Sequence, residues 1–167
     1  MPFIGIIAKE SDSNYIKNEI LKNSSHKFEI ININKESIQN LKNIRFDIIV
    51  LGDDGENLLH ISKYLDGIIK NAKYLIVNSD SINIVENISN VTVITYGLNH
   101  KATVTVSSIK SESVLICIQK SIKDINGNIF EEQEINVEMT KNSLKKIYNL
   151  MAIYIILLIY GENLKKI

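Results

Sequence analysis

Residues 147–160 read IYNLMAIYIILLIY, an apolar run of 14 residues interrupted by Asn149. A helix that is apolar on nearly every side must be covered on nearly every side, so it needs layers around it. The run falls short of the roughly 18–20 residues that span a bilayer, and a buried core helix is the expectation. The remaining chain must then supply a sheet and further helices. At 167 residues it matches one domain of about 150 residues and can bury a core of its own. Its first residues, MPFIGIIAKESDS, lack a basic n-region and a small-residue cleavage site. They read as a first strand rather than a signal peptide, which predicts a cytoplasmic protein without membrane contact.

The first half alternates β-rich runs with helical patterns. Strands are predicted over 2–8, 27–33, 46–51, 74–77 and 91–95. Between them, Asp12 or Ser13 caps a helix through about Leu21, and a polar helix is predicted near 35–41. A further helix over 56–71 places Leu58, Leu59, Ile61, Leu65, Ile68 and Ile69 at helical spacing, and a short one follows over 81–87. Strands separated by helices imply right-handed crossovers and a parallel sheet. The second half changes character: 102–109 alternates with period two, and 114–122 follows as a strand. Asn126-Gly127 then marks a hairpin whose returning strand covers 129–139. Asn142 or Ser143 can cap the final helix. The predicted fold is α/β, a mostly parallel sheet with flanking helices, extended by an antiparallel β segment and closed by a buried C-terminal helix. Within this single domain the parallel part covers 1–97, the antiparallel part 98–141 and the helix 142–167.

Charge narrows the function classes. The 19 Lys+Arg balance the 19 Asp+Glu, which argues against a broad footprint for nucleic acid or anionic lipid, although a local patch can survive it. Arg45 is the only arginine, whereas isoleucine and asparagine number 33 and 20. This bias fits AT-rich codons, so a single Asn or Lys says little. One cysteine, Cys117, excludes an internal disulfide, and in the strand VLICIQ it reads as a buried, inert thiol. His26, His60 and His100 lack metal-ligand spacing. No metal site or cofactor is expected.

No phosphate cradle follows the first strand, because neither G-x-x-x-x-G-K-[ST] nor G-x-G-x-x-G occurs. The turn Gly52-Asp53-Asp54-Gly55-Glu56 lies where ligands of open α/β sheets bind, at the carboxyl end of a strand. Asp53, Asp54 and Glu56 could offer oxygen ligands to Mg²⁺. The competing role is that Asp54 or a neighbour caps the next helix, whose first turn favours acidic charge.

From Tyr74 onward the motifs follow a familiar order. Asn78-Ser79-Asp80 ends one strand, Thr95-Tyr96-Gly97 ends the next, and Asn149 followed by Ala152 opens the last helix. In this order and spacing the last 95 or so residues resemble the later part of the central domain of Mur ligases. Those enzymes join an amino acid or peptide to a carboxylate through an ATP-driven acyl phosphate. The departures concern the chemistry: the P-loop is missing, Gly55 stands near the place of a histidine ligand, and Lys145-Lys146 replace the nucleotide-seating pair.

The resemblance implies a catalytically inactive Mur-ligase-like protein that acts through binding, with a protein partner or by self-association, and with a link to cell-wall processes. The alternative is a small-molecule or nucleotide-binding protein using Asp53, Asp54, Glu56, Asn78, Asp80 and Asn149 at the sheet end. Residual ATP-dependent ligase activity stands third. Nucleic acid is not an expected partner.

Overall fold

The computed structural model describes residues 1–53, 63–82, 88, 90–139, 143–164 and 166–167. Strand β1 (Phe3–Ile7) leads to helix α1 (Glu10–Asn23), then to β2 (Glu29–Asn32) and β3 (Ile48–Leu51). Helix α2 (Lys63–Lys70) precedes β4 (Tyr74–Asn78) and β5 (Thr92–Tyr96). Strands β6 (Val104–Ile109), β7 (Ser113–Ile118), β8 (Ile122–Lys123), β9 (Ile129–Phe130) and β10 (Gln133–Glu138) follow, and α3 (Leu144–Ile159) closes the chain.

Eight strands form one sheet in the order β10-β7-β6-β5-β4-β3-β1-β2. From β2 to β6 every neighbour is parallel; β7 and β10 are antiparallel. The expected α/β architecture is therefore present. The parallel series reaches one strand further than the sequence indicates, since β6 joins β5 through the single pair Tyr96–Val104.

Alternation along the strands builds two cores. In β3, Ile48 and Val50 face a layer shared with α1 and α3, while Ile49 and Leu51 face Leu65, Ile68 and Ile69 of α2. Two-sided coverage explains the uninterrupted apolar runs of β1, β3 and β4. The antiparallel end differs: β7 alternates buried with half-buried residues, as expected for a sheet covered on one face.

Helix α3 lies at the centre of its layer, with residues from Leu150 to Ile159 fully buried. Ser143 caps it, its hydroxyl accepting from the Lys146 N–H at 3.3 Å. At the other end Gly161 takes φ 73°, the Gly161 N–H donates to Leu158 and the Glu162 N–H to Leu157. This is the Schellman arrangement, which satisfies the last carbonyls of the helix and favours glycine at the left-handed position. Among the described residues no helix is long and apolar enough to cross a membrane.

Several predicted elements are corrected. Helix α1 starts at Glu10 with Lys9 at its N-cap, so neither Asp12 nor Ser13 caps it; both lie inside its first turns and are buried. The polar segment near 35–41 is a succession of turns, not an α-helix. There the Asn34 side chain accepts from the Glu36 and Ser37 N–H groups, a local competitor of helical bonding. The long strands over 114–122 and 129–139 each break in two, and β8 pairs with β9 in a separate small sheet. Asn126-Gly127 does form the turn, with Gly127 at φ 90° and the Asp124 carboxylate accepting from the Asn126 and Asn128 N–H groups. The first part of the helix predicted over 56–71, and most of that over 81–87, lie outside the described residues.

A carboxylate clamp fixes the far end of α3. Glu162 accepts from the Ser24 hydroxyl, from the Ser25 N–H and hydroxyl at 2.7 and 2.6 Å, and pairs with His26 Nδ1 at 3.1 Å. Burial alone would raise its pKa, but these donors outweigh it and bring the group down to about 2. The stabilisation is complete above the unfolded value of 4.5 and is lost as pH falls from there towards 2. Glu162→Gln is expected to cost about 1 kcal/mol at neutral pH. Urea denaturation at several pH values should show that cost shrinking across this acid range.

Candidate functional site

The strand order places a topological switch point between β1 and β3, because the chain runs outward to β2 and then returns past β1. Loops leaving the carboxyl ends of two such strands diverge, and ligands of open α/β sheets bind there. Ala8, Gly52 and Asp53 occupy those loop ends, with Asp12 of α1 and Lys145, Tyr148 and Asn149 of α3 above them. Of the six residues singled out in the sequence, Asp53, Asn78, Asp80 and Asn149 belong to this end of the sheet. Asp54 and Glu56 lie outside the described residues, as does His60.

The polar groups bind one another in three sets, the first two linked through Asn78. Asp53 Oδ1 accepts from Asn78 Nδ2 at 2.7 Å and from the Ser81 hydroxyl at 3.0 Å. Asn78, 1% exposed, in turn accepts from the Asp80 N–H through Oδ1 at 3.1 Å. Asp80 accepts from the Leu98 N–H and Asn99 Nδ2, both at 2.6 Å, and from the Tyr148 hydroxyl at 2.7 Å. In the third set Asp12, almost fully buried, accepts from Asn149 Nδ2 at 3.0 Å and pairs with Lys145 Nζ at 3.1 Å. The N-x-D turn of β4 thus ties β3, β5 and α3 together.

Charge states follow from these contacts. Burial works against the Asp80 carboxylate, but donation from Asn99, Leu98 and Tyr148 outweighs it and holds the pKa below its ordinary value. Tyr148 moves the other way: burial, its bond to Asp80 and the Asp80 and Asp53 charges all raise its pKa, so the hydroxyl keeps its proton. Tyr96, fully buried beside Asp53 and Asp12, is also pushed up, chiefly by burial. Cys117 lies half-buried on β7, and burial with Glu134 and Glu132 raises its pKa. That is the opposite of an activated thiolate.

Little room remains between these groups. The cleft lined by Ala8, Asp12, Gly52, Asp53, Tyr96, Tyr148 and Asn149 measures about 10 Å³. That is about the space of one water molecule. A Cβ on Gly52 would come within 3.0 Å of the Ala8 Cβ, so the loop ends meet where a phosphate cradle would open. No set of three His, Cys, Asp or Glu that could hold a metal occurs among the described residues.

Asp12, Lys145, Tyr148 and Tyr96 belong to this constellation, although the sequence did not mark them as site residues. Asp12 gives no signal in the linear pattern, since its partners lie more than 130 positions away. Tyr148 was hidden in the apolar run of α3, where a tyrosine reads as core. Comparison of the chain with protein-family models finds no match, and comparison with curated proteins finds none either.

Proposed function

We propose that this protein is a Mur-ligase-like α/β domain without catalysis of its own that acts by binding another protein chain, a partner or a second copy. The observation that carries this reading is the polar network at the sheet end. Asp12, Asp53 and Asp80 are engaged by donors of the same chain, and the cleft among the described residues holds about one water. Their contacts run within the chain and hold α3 against the ends of β3, β4 and β5. The resemblance at Asn78-Ser79-Asp80, Thr95-Tyr96-Gly97 and Asn149 supports the same scaffold role, and the link to cell-wall processes rests on that resemblance alone.

The antiparallel end offers a surface suited to association. Strand β10 forms one edge of the sheet, and among the described residues only its last residue, Glu138, is bridged on the outer side, to Lys166. An open edge presents unpaired backbone groups to which a strand can be added. A chain with zero net charge is also less protected from association.

Light scattering across a concentration series, together with thermal melts in ATP and Mg²⁺, tests the reading. The expected result is a concentration-dependent mass above the monomer and an unchanged midpoint with ATP and Mg²⁺. A strict monomer whose midpoint rises with ATP and Mg²⁺, and whose rise is abolished by Asp53→Ala, would establish the small-ligand alternative instead.

A further inference from the structure

The opposite end of the sheet holds a much larger space. A groove of about 990 Å³ opens at the amino ends of β3, β4 and β5. Lys42, Arg45, Lys70 and Lys73 all line it, and none of the lining residues among those described is acidic. In a chain whose charges cancel, this is a marked local concentration, and it includes the only arginine.

The pairing of these cations is uneven. Lys73 Nζ contacts Asp47 Oδ1 at 2.6 Å, and Asp47 Oδ2 also accepts from the Phe3 N–H, so that charge is matched inside the protein. Lys42, Arg45 and Lys70 have no hydrogen-bond or ion-pair partner among the described residues. Lys70 lies in the last turn of α2, where a cation complements the helix dipole. That explanation does not reach Lys42 or Arg45, which lie in the turns and extended chain before β3. Three positive charges without a counter-ion among the described residues, set around a concavity, repel each other and focus a positive potential into it.

We propose that this groove binds a small, multiply charged phosphate compound, a polyphosphate chain free or carried by a nucleoside. Its volume lies within the roughly 300–1,000 Å³ typical of small-molecule sites. Arg45 supplies the planar fork that takes two phosphate oxygens together, and Lys42 and Lys70 act as point charges on either side. Asn43, Asn71 and Asn90 line the same space. A nucleic acid fits less well, because among the described residues the only aromatic ring in the lining is Tyr74, half-buried with its hydroxyl bonded to the Lys123 carbonyl. This site is at the other end of the strands from the Asp53 network and does not depend on the function proposed above.

Isothermal titration of the full chain with inorganic tripolyphosphate, near physiological salt, tests the assignment. Saturable one-to-one binding is expected, weakening as salt rises. Arg45→Gln combined with Lys70→Gln should weaken it about tenfold or more while the chain stays folded with a melting midpoint lowered only slightly by the loss of Lys70 at the helix end, since both side chains are exposed. Asp53→Ala should leave it unchanged. ATP without Mg²⁺ separates the two sources: equal affinity assigns the phosphate chain alone, and tighter binding adds the nucleoside. The proposal is overturned by absence of saturable heat, or by binding indifferent to the Arg45 and Lys70 changes. Tighter binding of a single-stranded RNA or of anionic vesicles than of tripolyphosphate would overturn it equally.

Discussion

Tyr154→Ala is expected to destabilise the protein by about 3–5 kcal/mol, the range for truncating a large aromatic side chain in a packed core. Tyr154 sits in the middle of α3, is fully buried, and is the largest of the fully buried side chains. Its removal leaves a cavity in the core around α3, because neighbours such as Ile153, Leu157 and Leu158 are themselves buried and cannot close it without moving. Total stabilities of domains run to only about 5–15 kcal/mol, so this loss brings the folded state close to its limit. The hydroxyl behaves differently from the ring. Its oxygen is buried without a hydrogen-bond partner among the described residues, and burial pushes its pKa up to about 12. Tyr154→Phe removes an unsatisfied polar group and keeps the volume, so it should be neutral or stabilising by about 1 kcal/mol. Urea denaturation of both variants checks the pair. A Phe variant as damaged as the Ala variant would mean that the hydroxyl, not the ring, holds the helix.

The architecture was legible in the sequence wherever burial was total. The runs of β1, β3 and β4 and the helix over 147–160 carry enough consecutive apolar residues that no other arrangement covers them. Legibility fell where local hydrogen bonding decided the outcome. Near 35–41 the polar segment reads as a helix, yet the Asn34 side chain accepts from the Glu36 and Ser37 N–H groups and holds the backbone in turns. The break between β9 and β10 was equally hidden, because 129–139 reads as one continuous strand while its two halves pair with different partners. At the candidate site, the ends of β3 and β4 were legible because strand ends in a parallel sheet converge. Asp12 and Tyr148 were not, since contacts across the fold leave no trace in local spacing. The basic groove was invisible for the same reason: Lys42 and Arg45 come from the chain before β3, Lys70 and Lys73 from the end of α2 and the chain before β4, in a lysine-rich sequence.

The motif Thr95-Tyr96-Gly97 raises a question that a double-mutant cycle answers. A glycine at a strand end suggests a turn that only glycine can adopt. The structure gives another reason. Positive φ at glycine occurs at Gly127 and Gly161, not at Gly97. A Cβ at position 97 would instead come within 2.9 Å of Cγ, Oδ1 and Oδ2 of Asp80. That carboxylate cannot swing aside cheaply, because the Leu98 N–H, Asn99 Nδ2 and the Tyr148 hydroxyl hold it in place. Gly97→Ala should therefore cost about 1–3 kcal/mol, the usual range for overpacking. In an Asp80→Ala background the obstructing atoms are gone. There the same substitution should be neutral, or stabilising by about 0.4–1 kcal/mol through the reduced entropy of the unfolded chain. The change of sign is a coupling between two residues in contact, and chemical denaturation of the four proteins of the cycle measures it. A penalty of equal size in both backgrounds would return the explanation to backbone conformation. A penalty that vanishes with Asp80 means that this glycine exists to let the carboxylate of the N-x-D turn reach α3.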